Sequence, residues 1–130
     1  MKSSFSKKVT GAIGEGVAAE FLIKKGFEIL ERNYRKPWGE IDLIAVKGNI
    51  VRFVEVKSVS RESIPDISRE NNAHRPEELV HEFKLRKVAR TAAMYMNDKH
   101  DTREFQVDVV GVFLDMRNRK AQCRLFEQVL

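Results

Sequence analysis

Gly39-Glu40-Ile41-Asp42-Leu43-Ile44-Ala45-Val46-Lys47-Gly48-Asn49-Ile50-Val51-Arg52-Phe53-Val54-Glu55-Val56-Lys57 is the stretch that decides how this chain folds. Two runs rich in β-branched residues flank Gly48-Asn49, a pair suited to a two-residue hairpin turn. Glycine at the first central position predicts type II′, because glycine tolerates a positive φ there. In that register Val46 faces Val51, Ile44 faces Phe53, Asp42 faces Glu55 and Glu40 faces Lys57. Side chains alternate along a strand, so all of these share one face. Three carboxylates and one amine then collect at the end of the hairpin away from the turn.

Directly opposed like charges are destabilising. Two carboxylates about 5 Å apart in an effective dielectric of about 20 repel by roughly 3 kcal/mol. A hard divalent cation relieves that repulsion, and Mg²⁺ characteristically takes one or two carboxylates, several waters and phosphate oxygens. The structural alternative is that Lys57 pairs with Glu40 and Glu55 while Asp42 stays solvated at a sheet edge. Against it stands the rest of the hairpin. Ile44, Val46, Val51 and Phe53 on one face, and Ile41, Leu43, Ala45, Ile50, Val54 and Val56 on the other, describe a sheet covered on both sides. The end of a buried strand pair is a costly place for unused carboxylates.

Working outward, 130 residues suit one domain, 1–130, with a single sizeable core. The formal net charge is +5 and the pI about 9.5, which favours an anionic partner, nucleic acid first. The lone Cys123 cannot form an internal disulfide and is read as a packed thiol. Met1 to Lys8 lacks the apolar core of a signal peptide, and no run approaches about 20 apolar residues. The expectation is a soluble cytoplasmic protein without a membrane partner.

The pattern from about Thr10 to Lys25 predicts a helix, with Gly26 in the position of a C′ glycine. Gly11, Gly14 and Gly16 are expected to let it pack closely on the sheet, and Glu15 falls near its buried edge, within reach of the acidic end of the hairpin. An ordinary exposed helix glutamate is the competing reading for Glu15. Phe27 to Tyr34 reads as a strand and Arg35 to Gly39 as a turn, whose Trp38 is expected to close the rim of the core. Ser58 to Arg75 reads as a mobile loop. Pro76-Glu77-Glu78 opens a second helix that runs to about Asn97. On it Lys84, Lys87 and Thr91 fall on one side and Arg86 and Arg90 on another; they are either a solvated face or a ridge that contacts phosphates. Phe105 to Leu114 and Gln122 to Leu130 complete the strands. This order predicts an α/β fold, a mixed central sheet flanked by helices on both faces.

Phosphodiester hydrolysis needs a cation to polarise the phosphate and a group to position the attacking water. Asp42 and Glu55 are candidate metal ligands, with the Val56 backbone carbonyl between Glu55 and Lys57. Lys57 is the candidate to hold the water or to offset charge on the phosphate, and Glu15 a candidate outer carboxylate acting through water. His74, His81 and His100 lack zinc-ligand spacing, and there is no nucleotide-binding glycine loop or nucleophile elbow.

Asp42 followed by Glu55-Val56-Lys57, after a helix bearing Glu15, resembles the PD-(D/E)XK nuclease superfamily. More narrowly, several blocks resemble the bacterial YraN-like family, which is largely uncharacterised and whose members are classed as predicted endonucleases similar to archaeal Holliday junction resolvases. These are Gly14-Glu15 with Ala18, Arg32-Asn33-Tyr34-Arg35, Gly39 to Ile44, Phe53 to Lys57, Lys84 with Ala92-Ala93 and Tyr95, and Val107-Asp108-Val109-Val110. The likeness runs from about Gly11 to Val112. It implies a restriction-endonuclease-like αβββαβ core, Mg²⁺ or Mn²⁺ held by Asp42 and Glu55, and Lys57 assisting water. It also implies DNA as substrate, branched DNA among the candidates, and a homodimer by analogy with the resolvases, for which no self-complementary apolar stripe is evident. The alternatives are a catalytically inactive nucleic-acid-binding module using Lys84, Arg86, Lys87 and Arg90, or a protein-interaction factor with a structural acidic cluster.

Overall fold

A computed structural model describes residues 7–61 and 82–130. In chain order they form α1 (Lys7–Lys24), β1 (Glu28–Lys36), β2 (Gly39–Lys47), β3 (Ile50–Arg61), α2 (Glu82–Asp98), β4 (Phe105–Asp115) and β5 (Lys120–Phe126). The strands build one sheet in the order β1-β2-β3-β4-β5, with β3 and β4 parallel and the other neighbours antiparallel. A parallel pair needs a crossover, and the connection carrying α2 supplies it. The sequence therefore builds the expected restriction-endonuclease-like order of elements, with a fifth strand at the edge.

The two-sided apolar pattern of the hairpin is explained by a helix on each face. Ala18, Ala19 and Leu22 of α1 share a core with Leu43, Ala45, Val54, Val110 and Val112. Leu85, Val88, Ala92, Tyr95 and Met96 of α2 share another with Ile44, Val51, Phe53, Val107 and Val109. Tyr34 and Phe53 each meet Tyr95 edge to face, at centroid distances of 5.2 and 5.5 Å, which adds directional contacts to that second core. Among the described residues no helix is long and apolar enough to cross a membrane.

From Lys47 to Leu43 the β2–β3 register is the expected one, with Val46 opposite Val51 and Ile44 opposite Phe53, whereas the expected Asp42–Glu55 and Glu40–Lys57 pairs lie beyond the end of the ladder at Leu43–Val54. Its turn differs. Gly48 and Asn49 both have positive φ, 61° and 62°, which is type I′ rather than II′. Asparagine tolerates the left-handed region, and type I′ matches the right-handed twist of the flanking strands.

Other boundaries move because tertiary pairing extends the strands. β1 runs to Lys36, which pairs with Gly39, so the expected turn shrinks to Pro37-Trp38. Trp38 stands 43% exposed there rather than closing the core rim. β3 continues through Ser58 to Arg61, where a loop was expected, because the parallel partner β4 pairs with it as far as Asp115. The rest of that expected loop, His74, His81 and the Pro76 helix start lie outside the described residues. Of the three glycines expected to seat α1, only Gly14 does so: a Cβ there would overlap Ser58, whereas Gly11 and Gly16 face open space.

After β5 the chain is tied down by Asp108, which is fully buried. It accepts hydrogen bonds from Arg52 Nη1 at 3.2 Å, Gln106 Nε2 at 2.8 Å and the Gln128 amide at 2.8 Å. The Val129 amide donates to the Val107 carbonyl at 2.9 Å. Asp108 is thus a satisfied structural carboxylate rather than part of the acidic cluster.

Candidate active site

The regular β2–β3 register runs from Lys47 opposite Ile50 to Leu43 opposite Val54. Beyond it the two acids take over the pairing. The Val56 amide donates to Asp42 Oδ2 at 2.8 Å, and the Asp42 amide donates to Glu55 Oε2 at 3.3 Å. Each carboxylate therefore satisfies a backbone donor on the opposite strand, which fixes both side chains in the gap. β2 bends here. Ile41 packs with the α2 core, as Ile44 does, whereas Leu43 packs with the α1 core, so strict alternation breaks at Asp42. β3 keeps its pairing with β4 on its other edge, with Glu55 opposite Val109 and Lys57 opposite Gly111. A cleft lined by both acids lies at this end of the hairpin.

The cleft encloses about 310 Å³ and is lined by Glu40, Asp42, Glu55, Lys84, Lys87 and Val88. Glu55 is the most deeply placed acid. Lys84 Nζ of α2 lies 2.9 Å from its Oε1, yet the Glu55 side chain is 2% exposed and that of Lys84 is 60% exposed. The two form an ion pair across the gap between helix and sheet. Among the described residues Oε1 has no hydrogen-bond partner. A buried carboxylate oxygen without one is an unusual and costly feature.

Titration follows from this burial. Burial first, and the neighbouring Asp42 charge second, push Glu55 up to about 7. Burial also raises Asp42, against the lowering effect of the Val56 amide and then of Lys84. Lys84 is drawn down by its own burial, but Glu55, then Asp42 and Glu40, outweigh that and leave it raised. Half-buried Glu15 on α1 is raised by burial and then by the Asp42 charge, and it does not line the cleft.

The structure thus brings together Asp42, Glu55 and, at longer range, Glu15. Val56 contributes its amide, which goes to Asp42. Lys57 sits one pleat beyond Glu55 on β3, exposed, and does not line the cleft. The amine at the acids is Lys84, expected only as part of a phosphate-contacting ridge. That ridge divides as its helical spacing implies. Lys84 and Lys87 line the cleft, Arg86 and Arg90 are exposed outside it, and Thr91 turns inward to donate to the Lys87 carbonyl at 3.0 Å. No sequence spacing marked Lys84 as Glu55's partner, because the contact crosses from helix to sheet.

As a cation site this donor set is lean. Among the described residues no group of three or more His, Cys, Asp and Glu side chains gathers to hold a metal. Two carboxylates with open positions nevertheless suit Mg²⁺, which retains water and phosphate oxygens in its shell. Burial of the Cys123 thiol pushes it up to about 11, which leaves it protonated and unsuited to nucleophilic chemistry.

Residues 14–112 match the Uncharacterised protein family UPF0102. A UPF0102 protein of Moorella thermoacetica is 36% identical over 119 residues, 91% of this chain and 92% of that one. Another, from Caldanaerobacter subterraneus, is 38% identical over 112 residues, 85% of this chain and 84% of that one. Among solved structures, Pyrococcus furiosus SfsA in complex with Ca²⁺ is similar over 94% of this chain at 12% identity and a TM-score of 0.37. This chain covers 64% of that one, less than two thirds of its length.

Proposed function

This chain belongs to the uncharacterised protein family UPF0102, the YraN-like family its motifs resemble, and we propose that it is a divalent-metal-dependent endonuclease hydrolysing phosphodiester bonds in DNA. The observation that carries this reading is the pair of carboxylates held side by side in the cleft, one of them buried with an oxygen that among the described residues is met only by the Lys84 ammonium. That oxygen and Asp42 fit a hard cation. Mg²⁺ or Mn²⁺ held by Asp42 and Glu55, with the Val56 carbonyl as a third donor, would polarise the phosphate and acidify water.

The chain's own residues supply the rest. The amide bonds to Asp42 and Glu55 fix both acids before any ligand arrives, so little reorganisation is needed on binding. Glu15 raises the local negative charge and acts through water. Lys57, one pleat beyond Glu55 on the same face of β3 and outside the cleft lining, would act from the rim, on the attacking water or on charge at the phosphate. Lys87, Arg86 and Arg90 on α2 extend a basic surface from the cleft along which a DNA backbone can lie. Branched DNA is the substrate form proposed by likeness to the resolvases.

The test is cleavage of junction, flap and single-stranded DNA with Mg²⁺ or Mn²⁺, compared between the wild type and Asp42→Asn or Glu55→Gln. Cleavage in the wild type that both variants lose supports the reading; no cleavage, or cleavage that both retain, overturns it. One observation favours a second reading, a binding module without catalysis: Lys57 does not line the cleft. That reading expects salt-sensitive DNA binding that Asp42→Asn leaves intact and no cleavage under any ion.

A further inference from the structure

The cleft already contains a cation, and it belongs to the chain. Lys84 Nζ stands 2.9 Å from Glu55 Oε1, a buried oxygen that among the described residues meets that ammonium and no hydrogen-bond donor beyond it. The partners are unequally anchored. Glu55 is held by the Asp42 amide and by burial, whereas Lys84 rests on the rim with its side chain 60% exposed. Withdrawing the ammonium therefore moves a side chain already largely in solvent and leaves the amide bond to Glu55 in place. A flexible four-carbon stem that carries a strongly hydrated charge is suited to such an excursion.

We propose that Lys84 is a displaceable counter-cation. In the ion-free protein it neutralises the Glu55–Asp42 pair, and a divalent ion entering the cleft takes over Glu55 Oε1 and releases the Lys84 amine towards solvent. The physical reason is exclusion. A hydrated Mg²⁺ and an ammonium cannot both lie against one buried oxygen, and their charges repel at short range in a partly desolvated cleft. Exchange also gives the released amine a use. Lys84 and Lys87 lie one turn apart on the cleft side of α2, so once freed Lys84 joins Lys87 in facing a bound phosphate. Ion binding and backbone binding are then coupled through one side chain, with the ion preparing the surface for the polyanion.

This inference rests on the cation-site reading above, and the two can fail separately. Mg²⁺ is titrated calorimetrically into the full chain as wild type, Lys84→Met and Lys87→Met, without DNA. Lys84→Met is expected to bind Mg²⁺ about tenfold more tightly than wild type because the internal competitor is gone. Lys87→Met, which changes cleft charge without removing the Glu55 contact, is expected to shift affinity by less than about threefold. Equal affinity in wild type and Lys84→Met, or equal gains in the two variants, overturns the exchange. Should Lys84→Met fail to fold, amine acylation of the wild type read by peptide mass spectrometry decides. Lys84 is expected to react several-fold faster under saturating Mg²⁺, and unchanged or slower labelling refutes displacement while leaving the ion site standing. If no ion binds wild type or Lys84→Met, the site itself fails and the exchange falls with it.

Discussion

Glu55 and Lys84 meet at 2.9 Å across the gap between sheet and helix, one side chain almost wholly buried and the other largely in solvent. A single cation on the rim does not fully compensate a buried acid, which is why Glu55 is pushed up to about 7 despite the pair.

That shift makes ion-free stability fall as pH rises. Between the unfolded value near 4.5 and the folded value of about 7, the native state holds a proton that the unfolded chain has lost. Stability from this group is therefore greatest at low pH and declines by about 3 kcal/mol across the interval. Lys84, raised from an already high value, titrates outside that window. Urea unfolding in EDTA at pH 5 and pH 8 is expected to show the decline. Saturating Mg²⁺ at pH 8 is expected to restore most of it, because a ligand of the folded state adds to its stability.

Neutralising either acid separates stability from function. Asp42→Asn keeps an oxygen for the Val56 amide and Glu55→Gln keeps one for the Asp42 amide, so both variants are expected to fold, and Glu55→Gln to lose most of the pH dependence. Both are expected to abolish Mg²⁺ stabilisation and to reduce DNA cleavage by more than about a hundredfold. Glu15→Gln, acting through water, is expected to cost about 10–100-fold. Parallel thermal melts with and without Mg²⁺ and cleavage rates check both.

Asp108 is expected to behave in the opposite way. Asp108→Ala strands the Arg52 cation, leaves the Gln128 amide without its acceptor and frees the chain end after β5. Breaking a buried pair of this kind costs about 3–5 kcal/mol. Arg52 also reaches Glu127 at 2.9 Å, which moderates the loss towards the lower figure. Denaturant unfolding measures it, and the thermal increment from Mg²⁺ is expected to be unchanged.

Gly14→Ala tests how closely α1 must sit on β3. The added Cβ overlaps Ser58, so a loss of about 1–3 kcal/mol is expected, in the range of overpacked cores. Gly14→Ala combined with Ser58→Gly is expected to recover part of it, which a double-mutant cycle reports.

Much of the architecture was legible because it is local. Alternation along Ile41 to Val46 and Ile50 to Val56 is a backbone property, so the position of Gly48-Asn49 was enough to oppose Ile44 to Phe53. The 3.6-residue repeat likewise separated Lys84 and Lys87 from Arg86 and Arg90. Elements whose state depends on a distant partner were misread. Ser58 to Arg61 has the composition of a loop and is a strand because β4 supplies its hydrogen bonds. The turn is type I′ because sheet twist draws Asn49 into the left-handed region beside Gly48.

By itself, then, the sequence determined that two acids would share one end of a hairpin and that helices would cover both of its faces, since register and burial pattern are written in neighbouring residues. Which amine meets those acids was decided by the tertiary structure alone. Lys57 shares a strand with Glu55 and lies outside the cleft, while Lys84 reaches Glu55 from α2. The docking of a crossover helix on a sheet is set by the packing of Leu85, Val88 and Ala92 against the far core, and no spacing along the chain encodes that distance.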